Sequence, residues 1–248
     1  MDLWATIASF EYTLWIGCAG FYILDHIKRL TPQELLYEET LLGAWSLRVS
    51  KVPFTIFNKE LYVLNPFLPW VCAFKPKWGQ NIYPSGRAVR LERHDFLTFL
   101  KRCTPLRLVS LFSFIGLFVL GPYLTATRGL THAVITVVLL NVLLQVLSIS
   151  VLWFYSKALK VSKWKSILLA FEALVCPPYT ACLLKRISLN YIIACDGFIV
   201  AKSLHRFTNF PVALEHAANR IHERSQAGSL SEEQELLADK YLEKLRPS

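Results

Sequence analysis

Long apolar runs alternate with strongly charged stretches along this chain. Residues 108–126 and 133–155 contain no charged side chain, and residues 3–24 contain only Glu11. A helix needs about 20 mostly apolar residues to cross the hydrocarbon core of a bilayer. The pattern therefore predicts three transmembrane helices, and the second and third form a tight helical hairpin around residues 127–132.

The charges that flank these runs predict an orientation. Basic residues follow the first run at Lys28 and Arg29, and basic clusters lie on either side of the hairpin at 101–107 and 157–165. Lys and Arg are enriched in cytosolic loops of membrane proteins. The start Met1-Asp2 lacks the basic region of a cleavable signal peptide. We expect an uncleaved anchor with the N-terminus outside and the C-terminus in the cytosol.

Residues 25–107 are predicted to form a basic cytosolic or interfacial segment. Within it, the pattern Thr31-Pro32-Gln33-Glu34 has the form of a capping box, which predicts a short helix to about Trp45. Two β-prone runs predict a short β-hairpin near 54–64. Residues 93–103 have the pattern of a basic amphipathic helix that leads into the membrane.

Residues 166–184 admit two interpretations. The segment is mostly apolar, but Cys176-Pro177-Pro178 interrupts it and basic residues lie on both sides. A full span would move one basic pair outside, whereas a re-entrant or interfacial pair of helices keeps both pairs inside, with the break at the prolines. The charges favour the second interpretation. On this interpretation, residues 156–208 as a whole form re-entrant or membrane-surface helices.

The tail, residues 209–248, is predicted to be a cytosolic pair of helices. Its second helix has an apolar stripe at helical spacing, which we call the tail stripe: Leu236, Leu237, Tyr241, Leu242 and Leu245. Two helices of this length bury too little apolar surface to be stable alone. The tail stripe is therefore expected to dock on a partner protein, the alternative being the chain's own cytosolic part.

Composition and charge agree with a membrane protein. Hydrophobic residues make up 54% of the chain and charged residues only 18%, against about 25% in an ordinary soluble domain. The net charge of +9 is concentrated beside the apolar runs, where it would face lipid headgroups. No nucleic-acid-binding motif accompanies it, so no nucleic-acid partner is predicted.

Four polar residues inside the predicted spans are candidate sites of helix packing. Asn141, Gln145 and Ser148 share one face of the third span, where such groups hydrogen-bond to neighbouring helices. A packing role is favoured over a substrate site. Glu11 either marks an ion path or an intramembrane partner, or it reaches water near the outer surface, and the second is favoured.

The sequence offers no catalytic motif. HExxH, GxSxG, P-loop and GxGxxG patterns are absent, and the six cysteines form no CxxC pair and no zinc-ligand spacing. No catalytic residue, cofactor-binding residue or metal ligand is predicted, and no cofactor.

Together these patterns predict an all-α integral membrane protein with about three transmembrane helices, a re-entrant or interfacial segment and small cytosolic parts. The predicted location is a bacterial inner (cytoplasmic) membrane, and the predicted partners are the lipid bilayer and other proteins of a membrane complex. The expected function is a non-catalytic accessory, scaffolding or regulatory subunit. The alternative is an enzyme or transporter for a lipid or lipid-linked substrate, with Glu172, Asp196 and His94 at the cytosolic interface.

Overall fold

A computed structural model describes residues 10–31, 34, 36–39, 45–46, 50–56, 59–77 and 85–194. It also describes six single positions in the tail: His222, Glu223, Gln226, Glu232, Leu236 and Asp239. Of the described residues, 71% are helical.

Seven α-helices and six short strands are present in this part of the chain. The helices are α1 Phe10–His26, α2 Gly86–Arg102, α3 Thr104–Ile115, α4 Gly121–Arg128, α5 Leu130–Phe154, α6 Lys163–Val175 and α7 Pro178–Leu189. A π-helical turn, Gly116–Leu120, joins α3 to α4. The strands are β1 Ile27–Leu30, β2 Tyr37–Glu39, β3 Trp45–Ser46, β4 Ser50–Ile56, β5 Lys59–Val63 and β6 Ala73–Phe74.

The chain divides into two compact units. The first, which we call the helical unit, comprises Met1–Ile27, Asn65–Val71 and Lys101–Ser188. The second, the sheet unit, comprises Lys28–Leu64, Cys72–Leu100 and Leu189–Ser248.

Two helices of the helical unit are long and apolar enough to cross a membrane. They are the continuous helix Thr104–Arg128 and α5, each of 25 residues, and they correspond to the predicted hairpin. Gly129, with a φ of 84°, separates them, a backbone conformation that favours glycine. These two helices indicate that the protein associates with a membrane.

The first of these helices contains a local irregularity at Pro122. Proline has no N–H, and its ring crowds the carbonyl one turn earlier. The helix widens just before it, and the Gly121 N–H donates to the Gly116 carbonyl, five residues back. The π-helical turn thus lets the helix continue past the proline.

Small residues allow close packing in the helical unit. A Cβ atom added to Gly121 would lie 2.6 Å from the Trp15 ring, and one added to Gly116 would lie 2.7 Å from Leu140. Trp15 is buried, and its indole Nε1 donates to Thr125 Oγ1 at 2.9 Å. Glycines of this kind let helix backbones approach each other, so α1 packs against α4 through Trp15.

The ambiguous segment forms two short helices with a break at Cys176 and Pro177. The Ser162 side chain caps α6 by accepting from the Lys165 N–H, and α7 begins at Pro178. With 13 and 12 residues, each helix is too short to span a bilayer alone. Most of α7 is buried, so it belongs to the core of the helical unit.

The sheet unit adds β-structure that the all-α prediction left out. Its strands form two three-stranded sheets with the orders β1-β5-β4 and β3-β2-β6. The predicted hairpin near 54–64 is present as the antiparallel pair β4 and β5, with a register shift around Pro53, which has no N–H to donate to a ladder. In the same unit four buried aromatic rings pack together in tilted and edge-to-face pairs: Phe74, Phe96, Phe99 and Tyr191.

The prediction of a helix from Thr31 to about Trp45 was wrong. One contact of the capping box is made, since the Glu34 carboxylate accepts from the Thr31 N–H at 3.0 Å. The chain does not continue as a helix. Glu34 forms an isolated antiparallel β-bridge with Lys77, and β2 lies between β3 and β6. Pairing with strands elsewhere in the chain outweighs the local helix signal.

Candidate functional site

The interior of the helical unit contains a cluster of hydrogen-bonded polar side chains, which we call the threonine cluster. Thr180 of α7 donates through Oγ1 to Asn141 Oδ1 at 2.7 Å and accepts from Gln145 Nε2 at 2.5 Å. All three residues are buried. The proline break at 176–177 starts α7 where Thr180 can reach α5. The cluster therefore joins α7 to the third predicted span.

The other two predicted packing residues lie elsewhere. Ser148 is buried, and its hydroxyl donates to the Leu144 carbonyl of its own helix. Glu11 is exposed in the first turn of α1. The structure thus brings together Asn141 and Gln145, but it joins neither Ser148 nor Glu11 to them.

A second cluster, the arginine cluster, lies at the end of α1. Arg186 of α7 forms a two-pronged contact with Asp25, with Nη2 to Oδ1 at 2.7 Å and Nε to Oδ2 at 3.1 Å. Its third nitrogen, Nη1, donates to Glu172 Oε2 of α6 at 2.8 Å. The side chains of Arg186 and Asp25 are only 17% and 14% exposed. One guanidinium therefore holds three helices together.

The surroundings of Arg186 keep it charged. Burial alone would lower the pKa of the guanidinium, but the bonds to Asp25 and the charge of Glu172 outweigh it and raise the pKa. The guanidinium also lies 3.7 Å from the centre of the Tyr179 ring, a favourable cation–π geometry. The contacts with Asp25 and Glu172 use the planar N–H fork of the guanidinium, and the contact with Tyr179 uses the guanidinium plane. Both features distinguish arginine from lysine.

A cysteine and a histidine meet beside this cluster. Cys182 Sγ lies 3.9 Å from His26 Nδ1, and both residues are buried. Burial, followed by the charge of Asp25, raises the pKa of the Cys182 thiol well above its usual range. A protonated thiol is a weaker nucleophile than a thiolate.

Lys185, next to Arg186, also makes a contact inside the protein. Its side chain is buried, and Nζ donates to the Asn65 carbonyl at 2.5 Å. The nearby Tyr22 hydroxyl donates to the Pro66 carbonyl at 2.6 Å. These two bonds hold the segment Asn65–Val71 against α7 and α1 within the helical unit.

A small cleft lies between the π-helical turn and α5. Its lining consists of Ser113, Gly116, Leu117, Val137, Leu140, Asn141 and Leu144, and its volume is about 10 Å³, about enough for one water molecule. Small-molecule sites usually measure about 300–1,000 Å³. The cleft is therefore smaller than a typical substrate site.

The remaining sequence candidates do not converge. His94 and Asp95 are exposed on α2, and Glu172 is part of the arginine cluster. Asp196 and four residues of the tail stripe (Leu237, Tyr241, Leu242 and Leu245) lie outside the described residues. In the described part of the chain, no group of three or more His, Cys, Asp or Glu side chains could hold a metal ion.

Sequence reasoning missed the residues that organise both clusters. In the sequence, Asp25, Lys185 and Arg186 are charges that flank predicted membrane segments. No contact is predicted for them or for Thr180. Opposite charges at the ends of two apolar segments are a signal that such a pair could form. Nothing in the sequence shows which of the many flanking charges meet.

Comparisons with known proteins add no relative: no protein-family model matches the chain, and no curated protein or solved structure is significantly similar to it.

Proposed function

We propose that this chain is a non-catalytic accessory, scaffolding or regulatory subunit of a membrane protein complex. The observation that carries the proposal is the exposure of Leu236. This leucine is helical and 61% exposed, and it is the first residue of the tail stripe. A large apolar side chain on a helix, uncovered by its own chain, suits docking into a groove of another protein.

The interior of the helical unit supports the same proposal. Its buried polar side chains are used to join helices, as in the threonine and arginine clusters. Such contacts give a rigid scaffold that holds the membrane segments in one arrangement.

We further propose that α1 is a third membrane span, with the N-terminus outside and the C-terminus in the cytosol of a bacterial inner membrane. Large apolar side chains of α1 are exposed, as expected for a helix in contact with lipid: Leu14, Ile16, Phe21, Ile23 and Leu24. The basic residues after α5 would then lie on the cytosolic side.

Cysteine labelling tests this topology. In a background without the six native cysteines, a cysteine at Gly129 should react with an impermeant maleimide added to intact cells. A cysteine at Ser248 should react only after the membrane is permeabilised. Labelling of both positions in intact cells would show that the 163–189 region crosses the membrane and would refute the proposed orientation.

The docking role is tested by adding charge to the tail stripe. We expect the double change Leu237→Asp and Tyr241→Asp to weaken partner binding by about 30-fold or more, because burying a carboxylate in an apolar groove removes at least 2 kcal/mol of binding energy. The measurement is co-purification in mild detergent, with partners identified by mass spectrometry and confirmed by reciprocal purification.

The matched control for this variant is His222→Asp with Gln226→Asp, which adds the same charge at exposed tail positions outside the stripe. The control should retain the partner. If the stripe variant is instead degraded or lost from the membrane, the stripe belongs to the protein's own core and the docking proposal fails.

One observation favours the alternative, an enzyme or transporter for a lipid or lipid-linked substrate. Glu172 lies just before the helix break, and its side chain is 41% exposed. In the subunit, Glu172 pairs with Arg186, whereas in an enzyme this carboxylate would contact the substrate.

A further inference from the structure

The turn between α5 and α6 is strongly cationic. Four lysines follow one another closely at its surface, and all are exposed: Lys157, Lys160, Lys163 and Lys165. No Asp or Glu lies in the sequence between Asp95 and Glu172. We call these four residues the lysine turn.

The backbone holds the lysine turn in a defined shape. Leu159 and Val161 are buried between the lysines, and their N–H groups donate to Tyr155 and Ser156 carbonyls at 2.9 and 3.0 Å. Lys160 has a φ of 51°, a left-handed conformation that is uncommon outside glycine. The positive side chains therefore project from an ordered turn whose apolar residues Leu159 and Val161 are buried.

Aromatic rings contact two cations at this end of the hairpin, one from the lysine turn and one from α2. Lys163 Nζ lies 4.7 Å from the centre of the Trp153 ring, and Arg102 Cζ lies 4.6 Å from that of Tyr155. Contacts of this kind are worth about 0.5–1 kcal/mol at exposed sites. They concentrate positive charge beside the end of the 25-residue helix α5.

Two large apolar rings are exposed next to the lysines. Phe154 is 80% exposed and Trp164 is 77% exposed. Aromatic side chains of this kind are enriched at the headgroup level of bilayers. Positive charge, exposed aromatic rings and the end of an apolar helix thus occur together within residues 153–165.

We infer that the lysine turn binds the headgroup phosphates of anionic phospholipids. The ammonium groups attract the phosphate. Trp164 and Phe154 pack against the glycerol and upper acyl region. An acidic protein or a nucleic acid would also bind the lysines, but it would leave Phe154 and Trp164 in water. A lipid contacts both the lysines and the rings, so a lipid is the partner that fits.

The test is lipid binding to the full chain in neutral detergent, measured by native mass spectrometry with phosphatidylglycerol, phosphatidylcholine or inorganic phosphate added. We expect phosphatidylglycerol to bind, and phosphatidylcholine and inorganic phosphate not to bind at the same concentrations. The double change Lys157→Gln and Lys165→Gln should weaken phosphatidylglycerol binding about 30-fold, since each lysine near an anionic surface contributes about fivefold.

The matched control is Arg87→Gln with Arg90→Gln, which removes two exposed cations from α2 and should leave lipid binding unchanged. Equal losses in the two double variants would mean that net charge, not the lysine turn, attracts the lipid. Equal binding of phosphatidylcholine, or binding of inorganic phosphate alone, would also overturn the inference. The Leu237→Asp, Tyr241→Asp variant should bind lipid normally, so this outcome is independent of the docking proposal.

Discussion

Replacing Arg186 with methionine is expected to destabilise the protein by about 3 kcal/mol. The change leaves the Asp25 carboxylate without its two-pronged partner in a site where that side chain is only 14% exposed. Removing one member of a buried ion pair typically costs about 3–5 kcal/mol, because the remaining charge stays desolvated. Glu172 is 41% exposed and contributes less, since water can solvate it. The measurement is reversible unfolding in mixed micelles titrated with a denaturing detergent.

Two further variants separate charge from packing in this prediction. Combining Arg186→Met with Asp25→Asn and Glu172→Gln removes all three charges and should restore most of the lost stability. Arg186→Lys should fall between the wild type and methionine, because an ammonium group cannot bind both carboxylates through the same planar fork. If Arg186→Met is as stable as the wild type, the arginine cluster does not hold the three helices together.

Replacing Gly121 with leucine is expected to separate α1 from α4. The added Cβ would lie 2.6 Å from two atoms of the Trp15 ring, so the ring must move and its hydrogen bond to Thr125 is lost. Overpacking typically costs about 1–3 kcal/mol, and loss of the hydrogen bond adds about 1 kcal/mol. We expect a loss of about 3 kcal/mol in the same unfolding measurement.

Gly20 provides the control for this steric effect. It lies in α1 like Trp15, but a Cβ atom at Gly20 would meet no atom within 4 Å. Leucine is a better helix former than glycine, so Gly20→Leu should leave stability unchanged or slightly increased. A similar loss in both variants would mean that glycine is needed for the helix backbone itself and not for the approach of Trp15.

Residues 31–46 show why local patterns have a limit. Thr31 and Glu34 make one contact of the predicted capping box, yet the residues that follow form β2 and β3 instead of a helix. A capping contact contributes about 1 kcal/mol, whereas β2 gains hydrogen bonds on both of its edges, from β3 and β6. The second partner comes from the distant residues Ala73–Phe74, which no local pattern identifies.

The basic pair Lys185 and Arg186 shows a second limit. In the sequence this pair serves as a topology signal after an apolar segment. In the structure Lys185 is buried against the Asn65 carbonyl, and Arg186 is neutralised by two carboxylates. The proposed orientation therefore relies on the exposed lysine turn and not on this pair.

The helical hairpin and the break before α7 could be predicted from the sequence. A helix satisfies its backbone hydrogen bonds within its own segment, so the length of an apolar run and the position of a proline are enough to predict it. The sequence does not show which polar groups form hydrogen bonds with each other, because this depends on the folded structure. Asp25 and Arg186 are 161 positions apart, and Thr180 reaches Asn141 and Gln145 across a helix interface. Such contacts depend on how the helices pack, and packing is set by the fit of many distant side chains at once.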